Sequence, residues 1–245
     1  MFRHTGNKRT FSHNLQLASL LSGVAGIVNI TGILALGVLT TNVTGHFAFF
    51  SEDLVAGKIN AAFAFLIYIS MFLLGAFVSS LLLEIGAAKG NKGSYLIPIS
   101  IEIILLVLVS FAPQFLDRTD FVLTIFTPSV LLFVMGLQNA LVTRVSQSVV
   151  RTTHLTGLFT DLGIELSQIL FYQKKRQQKQ LRKNIYLKLA IIGCFFLGGI
   201  GGGLLYPYFG LKTLLVSASL LVFALYYDRI LQRYHYVRRH FQRPE

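Results

Sequence analysis

Two short polar segments decide the architecture of this chain: Thr40–Gly45, which reads TTNVTG, and Thr152–Gly157, which reads TTHLTG and follows 112 residues later. Each interrupts a strongly apolar stretch. Thr is β-branched, Gly costs a helix about 1 kcal/mol relative to Ala, and Thr and Asn side chains offer the backbone alternative hydrogen bonds. We therefore expect the helix to break or turn at both segments.

The similarity between the two halves of the chain extends beyond these segments. The further matches keep the same order along the chain: Gly26–Asn29 (GIVN) with Gly136–Asn139 (GLQN), Asp53 with Glu165, and Phe72–Ala76 (FLLGA) with Phe195–Gly199 (FFLGG). The sequence therefore predicts two repeats, residues 15–115 and 121–230, flanked by a tail of residues 1–14 and a basic tail of residues 231–245.

The composition indicates a membrane protein. Mean hydropathy is +0.63 and only 13% of the 245 residues are charged, about half the share of a soluble domain. This argues against an ordinary soluble enzyme and against a disordered chain. A helix crosses the hydrocarbon core with roughly 20 apolar residues. Six stretches fit: Leu15–Leu39, Ala61–Leu83, Tyr95–Ala112, Phe121–Thr143, Ile185–Tyr206 and Leu211–Tyr227.

The basic residues give these spans a direction. With the N-terminus in the cytoplasm, only Lys58, Arg118 and Lys212 lie outside, as the positive-inside rule favours. The net charge of +12 then needs no nucleic acid, and the cytoplasmic basic loop 173–184 is expected to face anionic lipid headgroups. An eight-span arrangement, in which the TTxxTG regions also cross, remains the alternative.

Three spans per repeat is an odd number, so the second repeat enters the membrane upside down relative to the first. The predicted fold is all-α, with six transmembrane helices in two inverted-topology repeats and broken or re-entrant TTxxTG segments. This organisation is typical of secondary transporters, in which paired broken segments mark the binding site.

The candidate substrate site combines the two polar segments with amides inside the spans. Interfacial turns with Thr44 or Thr156 as helix caps are the alternative for the segments, and interhelical hydrogen bonds are the alternative for the amides. The predicted residues are Asn29, Thr40, Thr41, Asn42, Thr44, Gly45, Gln138, Asn139, Thr152, Thr153, His154, Thr156 and Gly157.

Charged residues suggest two further roles. Glu102 stands inside the third span, four positions after Pro98, which predicts a kink. A carboxylate at that depth must face the interior, so Glu102 is the candidate for proton or ion coupling, or else a structural partner. The candidates for gating pairs, or alternatively for interfacial ion pairs, are Asp53, Arg144, Arg151, Asp161 and Glu165.

Other chemistries have little support in the sequence. No nucleophile–base pattern and no His/Cys cluster is visible, so neither an enzyme nor a metal or other cofactor is expected. The Gly198–Gly203 run has GxxxG spacing, with Gly75 and Ser79 as its counterpart, and this spacing permits close helix contact. The single cysteine, Cys194, cannot form an internal disulfide.

The segment Gly136–Ala140, followed by Arg144 and Arg151–Gly157, resembles the signature of the YoaK-type bacterial membrane proteins, a domain of unknown function of about this length. The resemblance runs from about Leu15 to Ile230 and implies a multi-pass inner-membrane protein. Members often carry an acidic residue near Asn29 and TGN where this chain has Thr44-Gly45-His46.

These observations predict a small-solute transporter or exporter of the inner membrane that works by alternating access, with both termini cytoplasmic. A channel of the same architecture and a non-transporting scaffold or sensor are the alternatives. The expected partners are membrane lipids, an unknown small solute or ion and a second copy of the chain, without nucleic acid.

Overall fold

The structure is a computed structural model that describes residues 10–90, 95–112, 125–146, 148–171 and 175–226. Residues 1–9 and 231–245 of the predicted tails, and residues 173 and 174 of the predicted basic loop, lie outside these ranges. Within them the regular structure is helical, without strands. The α-helices are α1 (Phe11–Leu36), α2 (Val43–Val55), α3 (Ile59–Ala88), α4 (Leu96–Phe111), α5 (Thr127–Val145), α6 (Leu155–Phe171) and α7 (Lys175–Phe209).

Four helical stretches are long and apolar enough to cross a membrane: α1, α3, α5 and the 52-residue run Lys175–Tyr226. Helix α4 is apolar but shorter, at 16 residues. Helix α2 has 13 residues, which at 1.5 Å per residue is about 20 Å and too short to span the hydrocarbon core. The regular structure of the described residues is therefore all helical, with the lengths and apolarity of a membrane protein.

The 52-residue run is not one straight rod. At 1.5 Å per residue it would extend about 78 Å, more than twice the hydrocarbon thickness. A 3-10 turn, Gly210–Thr213, interrupts it, and Gly210 has φ 54°. Helical residues 214–226 follow, here the C-terminal segment. Its buried Leu214, Leu221 and Ala224 join the same core as α1 and α5, so the segment packs back along the bundle.

Glycines bring α1 and α7 into close contact. A Cβ on Gly26 would overlap the backbone of Phe195 and Gly199, and one on Gly198 would overlap the backbone of Gly23. At the start of α1, the ring of Phe11 lies 6.3 Å from that of Tyr186, which precedes the glycine contacts along α7. Contact positions increase together along both helices, so α1 and α7 are parallel.

Helices α3 and α5 form a second close pair. A Cβ on Gly75 would overlap the carbonyl of Phe133, and one on Gly136 would overlap the carbonyl of Phe72. Further along, Glu84 of α3 pairs with Arg144 of α5, so this pair is also parallel. The close contact expected of the glycine motifs thus joins α1 to α7 and α3 to α5.

Burial repeats along the chain together with the sequence. The order of buried, half-buried and exposed positions over residues 21–34 recurs unchanged over residues 131–144, and that of residues 40–46 recurs over residues 152–158. A one-residue shift in either helix would destroy such a match. Equivalent residues of the two halves therefore occupy equivalent environments.

Two expectations about helix boundaries need correction. The basic segment predicted as a loop is helical from Lys175 onward, because Lys, Arg and Gln are good helix formers. Pro98 lies in the first turn of α4, which begins at Leu96. A proline there removes no intrahelical hydrogen bond, so it begins the helix and does not kink its middle.

Candidate functional site

The first break in helical structure covers residues 37–42 and contains the start of TTNVTG. Helix α1 ends at Leu36, and Gly37 takes the left-handed conformation with φ 68°. Asn42 caps α2, since its side-chain oxygen accepts a hydrogen bond from the Gly45 N–H at 2.9 Å. The alternative in which Thr44 or Thr156 caps the following helix is wrong, because Thr44 lies inside α2 and Thr156 inside α6, beyond the capping position.

A hydrogen-bonded bridge ties this break to α1. The Asn29 side-chain oxygen accepts from the Thr41 N–H at 3.3 Å and from the Thr41 hydroxyl at 3.0 Å. Both residues were predicted to belong to one site, and the structure brings them together. We call this contact the Asn29–Thr41 bridge. It satisfies an amide oxygen inside an apolar helix and fixes the path of the chain after that helix.

The second break comprises residue 146 and residues 148–154 of the described chain, follows α5 and contains the start of TTHLTG. Its equivalent bridge would join Asn139 and Thr153, but Asn139 Oδ1 has no hydrogen-bond partner among the described residues. The ring of His154 lies against Gly157, in the same place as Asn42 beside Gly45. The two breaks therefore share a backbone plan and differ in the bridge.

The first threonine of each motif is fully buried. The hydroxyls of Thr40 and Thr152 have no hydrogen-bond partner within the described residues. The exposed members of the predicted site are Asn42, Thr44, His154 and Thr156, whereas Thr41, Gly45, Thr153 and Gly157 are half-buried. Among the described residues of the two TTxxTG motifs, only Thr40 and Thr152 therefore direct an unsatisfied hydroxyl into the protein.

The two breaks lie at different heights of the bundle. Val38 of the first break packs with Leu132, in the second turn of α5, whereas the second break follows Val145, at the end of that helix. Thirteen helical residues separate these levels, which corresponds to about 20 Å. No hydrogen bond within the described residues joins the two motifs.

Buried polar side chains occupy the levels between the breaks. The Gln138 side-chain nitrogen donates to the Leu21 carbonyl at 2.9 Å and links α5 to α1, while its oxygen is unpaired in the described part of the chain. Glu102 on α4 is fully buried. It lies on one helical stripe with Ile99 and Leu106, which both belong to the main core, so its carboxyl group faces the interior as predicted.

The attachment of α2 to α3 leaves no clear signal in the sequence. His46 is buried against the rings of Phe65 and Tyr68, with centroids 5.7 and 5.5 Å away, and its Nε2–H donates to the Leu39 carbonyl at 2.6 Å. Burial lowers the pKa of His46 below its ordinary value, and the Leu39 hydrogen bond opposes this only in part. The second half has Leu158 at the equivalent position, so the repeat gave no signal for this role.

The candidate gating residues do not pair with one another. Glu165 forms an ion pair of 2.7 Å with Lys188 of α7, Asp53 lies 3.8 Å from Lys58, and Arg144 contacts Glu84. Arg151 and Asp161 are exposed and form no ion pair within the described ranges. Those ranges also contain no group of three or more side chains that could hold a metal ion.

Comparison with known proteins assigns the chain to a family. Residues 17–227, most of the chain, match the family described as Protein of unknown function (DUF1275), and the chain belongs to that family. The resemblance seen in the Gly136–Gly157 region is therefore confirmed. No curated protein and no solved structure matches the chain.

Proposed function

We propose that this chain is a small-solute transporter of the inner membrane that works by alternating access, built from six spans in two inverted repeats. Two features support the inverted repeat. The burial pattern of residues 21–34 recurs at residues 131–144, and each first span makes its glycine contact with the second span of the other repeat. A pseudo-two-fold axis in the membrane plane relates two inverted repeats, and it would produce both of these contacts between the repeats.

The charges give the proposed orientation. Parallel α1 and α7 both begin near basic residues, and parallel α3 and α5 both end near them, at Lys89 and Arg144. Because cytoplasmic ends of spans collect Lys and Arg, the second break then faces the cytoplasm and the first break the opposite side. Both termini are cytoplasmic in this arrangement.

The observation that carries the function is the difference between the two bridges. Asn29 and Thr41 are joined, whereas Asn139 lacks a partner within the described residues. Equivalent elements in unequal states, on opposite sides of a membrane, are what alternating access requires. In the alternative state the Asn139–Thr153 bridge forms and the Asn29–Thr41 bridge opens.

The proposed solute path runs between the breaks. It passes the buried hydroxyls of Thr40 and Thr152 and the amides of Gln138 and Asn139, with Glu102 as the coupling group. The exposed Asn42, Thr44, His154 and Thr156 guide entry at the two mouths. Unpaired buried polar atoms destabilise a protein core. A solute that forms hydrogen bonds with these atoms as it passes would offset that cost.

Flux measurements on proteoliposomes test this proposal. The probes are labelled amines, amino acids, sugars and alkali-metal cations, offered one at a time to the full chain. We expect saturable uptake that is faster when unlabelled solute fills the vesicle, whereas a channel gives flux linear in concentration. Thr40→Val with Thr152→Val should reduce uptake at least tenfold. The control, Thr160→Val, makes the same change at an exposed threonine outside the proposed path and should retain at least half of the uptake.

A further inference from the structure

Glu102 is the one buried carboxyl group in the described part of the chain. It stands on α4 between the fully buried Ile99 and Leu106, and neither of its oxygens has a hydrogen-bond partner among the described residues. An ionised carboxylate without a partner is extremely costly in an apolar interior. The site therefore demands either a proton or a positive charge.

The described part of the protein offers no such charge to Glu102. No Lys or Arg in it is buried. On the elements packed against α4, Glu84 and Arg144 are exposed and pair with each other, and exposed Lys212 lies over the ring of Phe111. The remaining buried titratable base, His46, is held by the Leu39 carbonyl at the first break.

The other unsatisfied atoms of the central core are oxygens. Gln138 Oε1 and Asn139 Oδ1 can only accept hydrogen bonds or coordinate a cation. The buried hydroxyl of Ser217 lies on the stripe of Leu214 and Leu221 in the C-terminal segment, as Glu102 lies on the stripe of α4. Carboxylate, amide and hydroxyl oxygens are the ligands of hard cations.

We infer that the species bound in the centre of this protein is a cation, with Glu102 as its counter-ion. This inference rests on the proposed transport function and adds the charge of the solute or coupling ion. A metal cation, a protonated amine and the proton share the required positive charge. An anion would meet a carboxylate and acceptor oxygens of the same sign, which costs several kcal/mol in a low-dielectric interior.

Charge displacement in proteoliposomes on a solid-supported membrane tests the inference with defined probes. Rapid jumps of Na⁺, K⁺, methylammonium or pH should each be compared with a swap of chloride for a larger anion. We expect a transient current after a jump of one of the cations, and that cation is then identified as the bound species. We expect no current after the anion swap. Glu102→Gln should reduce the current at least tenfold. Glu52→Gln, the same change at an exposed carboxylate, should leave it within twofold.

Labelling of the wild-type chain covers the case in which Glu102→Gln does not fold. A hydrophobic carbodiimide should modify Glu102, and the cation that gives the current should slow this modification at least fivefold. A current evoked by the anion, or a cation current that survives in Glu102→Gln, overturns the inference. Carbodiimide modification of Glu102 that none of the cations slows also overturns the inference.

The two proposals can fail separately. Cation currents and protection without sustained uptake of any probe support the cation site and contradict transport. Saturable uptake of an anionic or neutral solute, unaffected by Glu102→Gln and by cations, supports transport and contradicts the cation site.

Discussion

The first and second breaks share one plan but are held differently. In the first, the Asn29–Thr41 bridge joins the turn to α1, and His46 attaches α2 to α3 through rings and the Leu39 carbonyl. In the second, Asn139 has no such bond within the described residues, and the ion pair of Glu165 attaches α6 to α7. The repeated backbone thus carries two unequal sets of contacts.

The glycine contacts and the burial pattern match between the two halves, whereas the polar contacts at the two breaks differ. The glycine crossings recur because any side chain there would collide with backbone. A hydrogen bond at a break contributes only about 1 kcal/mol net. Bonds of that size can exchange between two states, whereas the crossings cannot.

The largest effect is expected at the glycine crossings, and it should be equal in both halves. Gly26→Ala and Gly136→Ala each place a Cβ onto backbone atoms of the neighbouring helix, so each should lower the free energy of unfolding by about 3 kcal/mol. Gly201→Ala is the control, because nothing lies within 4 Å of its Cβ. Melting temperatures in detergent measure all three, and a large loss in one half alone would break the premise of equivalent halves.

The next effect distinguishes the bridges. Asn29→Ala removes the acceptor of two hydrogen bonds and leaves the Thr41 N–H unpaired, so we expect a loss of about 2 kcal/mol. Asn139→Ala removes an unpaired buried oxygen and should be neutral or stabilising. The same melting assay compares them. Equal losses would mean that both asparagines are bonded in the dominant state.

The ion pairs should differ by a smaller amount. Glu165 and Lys188 are 13% and 15% exposed at 2.7 Å, whereas Lys58, 3.8 Å from Asp53, is 69% exposed. Double-mutant cycles should give about 1 kcal/mol of coupling for the first pair and nearly none for the second. High salt should reduce neither value by much. Coupling as large for Asp53 and Lys58 would contradict this ranking.

The smallest effect is a pH dependence confined to the first half. The pKa of His46 is lowered by burial, so the unfolded chain binds more protons as the pH falls through about 6.5. Stability that is present above pH 6.5 should therefore decline with acidification. His46→Leu, which copies Leu158 of the second half, should flatten the melting temperature between pH 7.5 and 5.5. An unchanged slope would exclude His46 as its source.

The sequence predicted the helical membrane-type fold and the inward-facing Glu102, because hydropathy and spacing act locally. The family was identified separately, from the resemblance of the Gly136–Gly157 region to a known signature. It also indicated close contacts at Gly75 and Gly198, since small residues at that spacing serve little else in a span. It could not name their partners, Phe133 and Gly23, because helix pairing depends on the whole bundle.

The polar contacts of the site were less predictable. Asn29 lies in α1 and Thr41 lies 12 residues later, inside the first break, and only the fold determines how that turn closes. His46 has no counterpart in the second half, so comparison of the repeats could not reveal it. Asn42 is the cap because α2 begins at the next residue, Val43. The repeated threonines obscured this boundary in the sequence.

Spin-label distances test the central claim, that the two bridges alternate, most directly. With Cys194 replaced by Ser, one label pair occupies the exposed positions Ala48 and Phe126 near the first break. The second occupies the equivalent exposed positions, Thr160 and Gln16, near the second break. Each pair is measured with and without Asn29→Ala.

A substitution that opens the first bridge should shift the population toward the state in which the second is closed. We expect the Ala48–Phe126 distance to lengthen and the Gln16–Thr160 distance to shorten in the same variant. If only the first distance changes, the bridge is a local contact and the alternating-access account is contradicted.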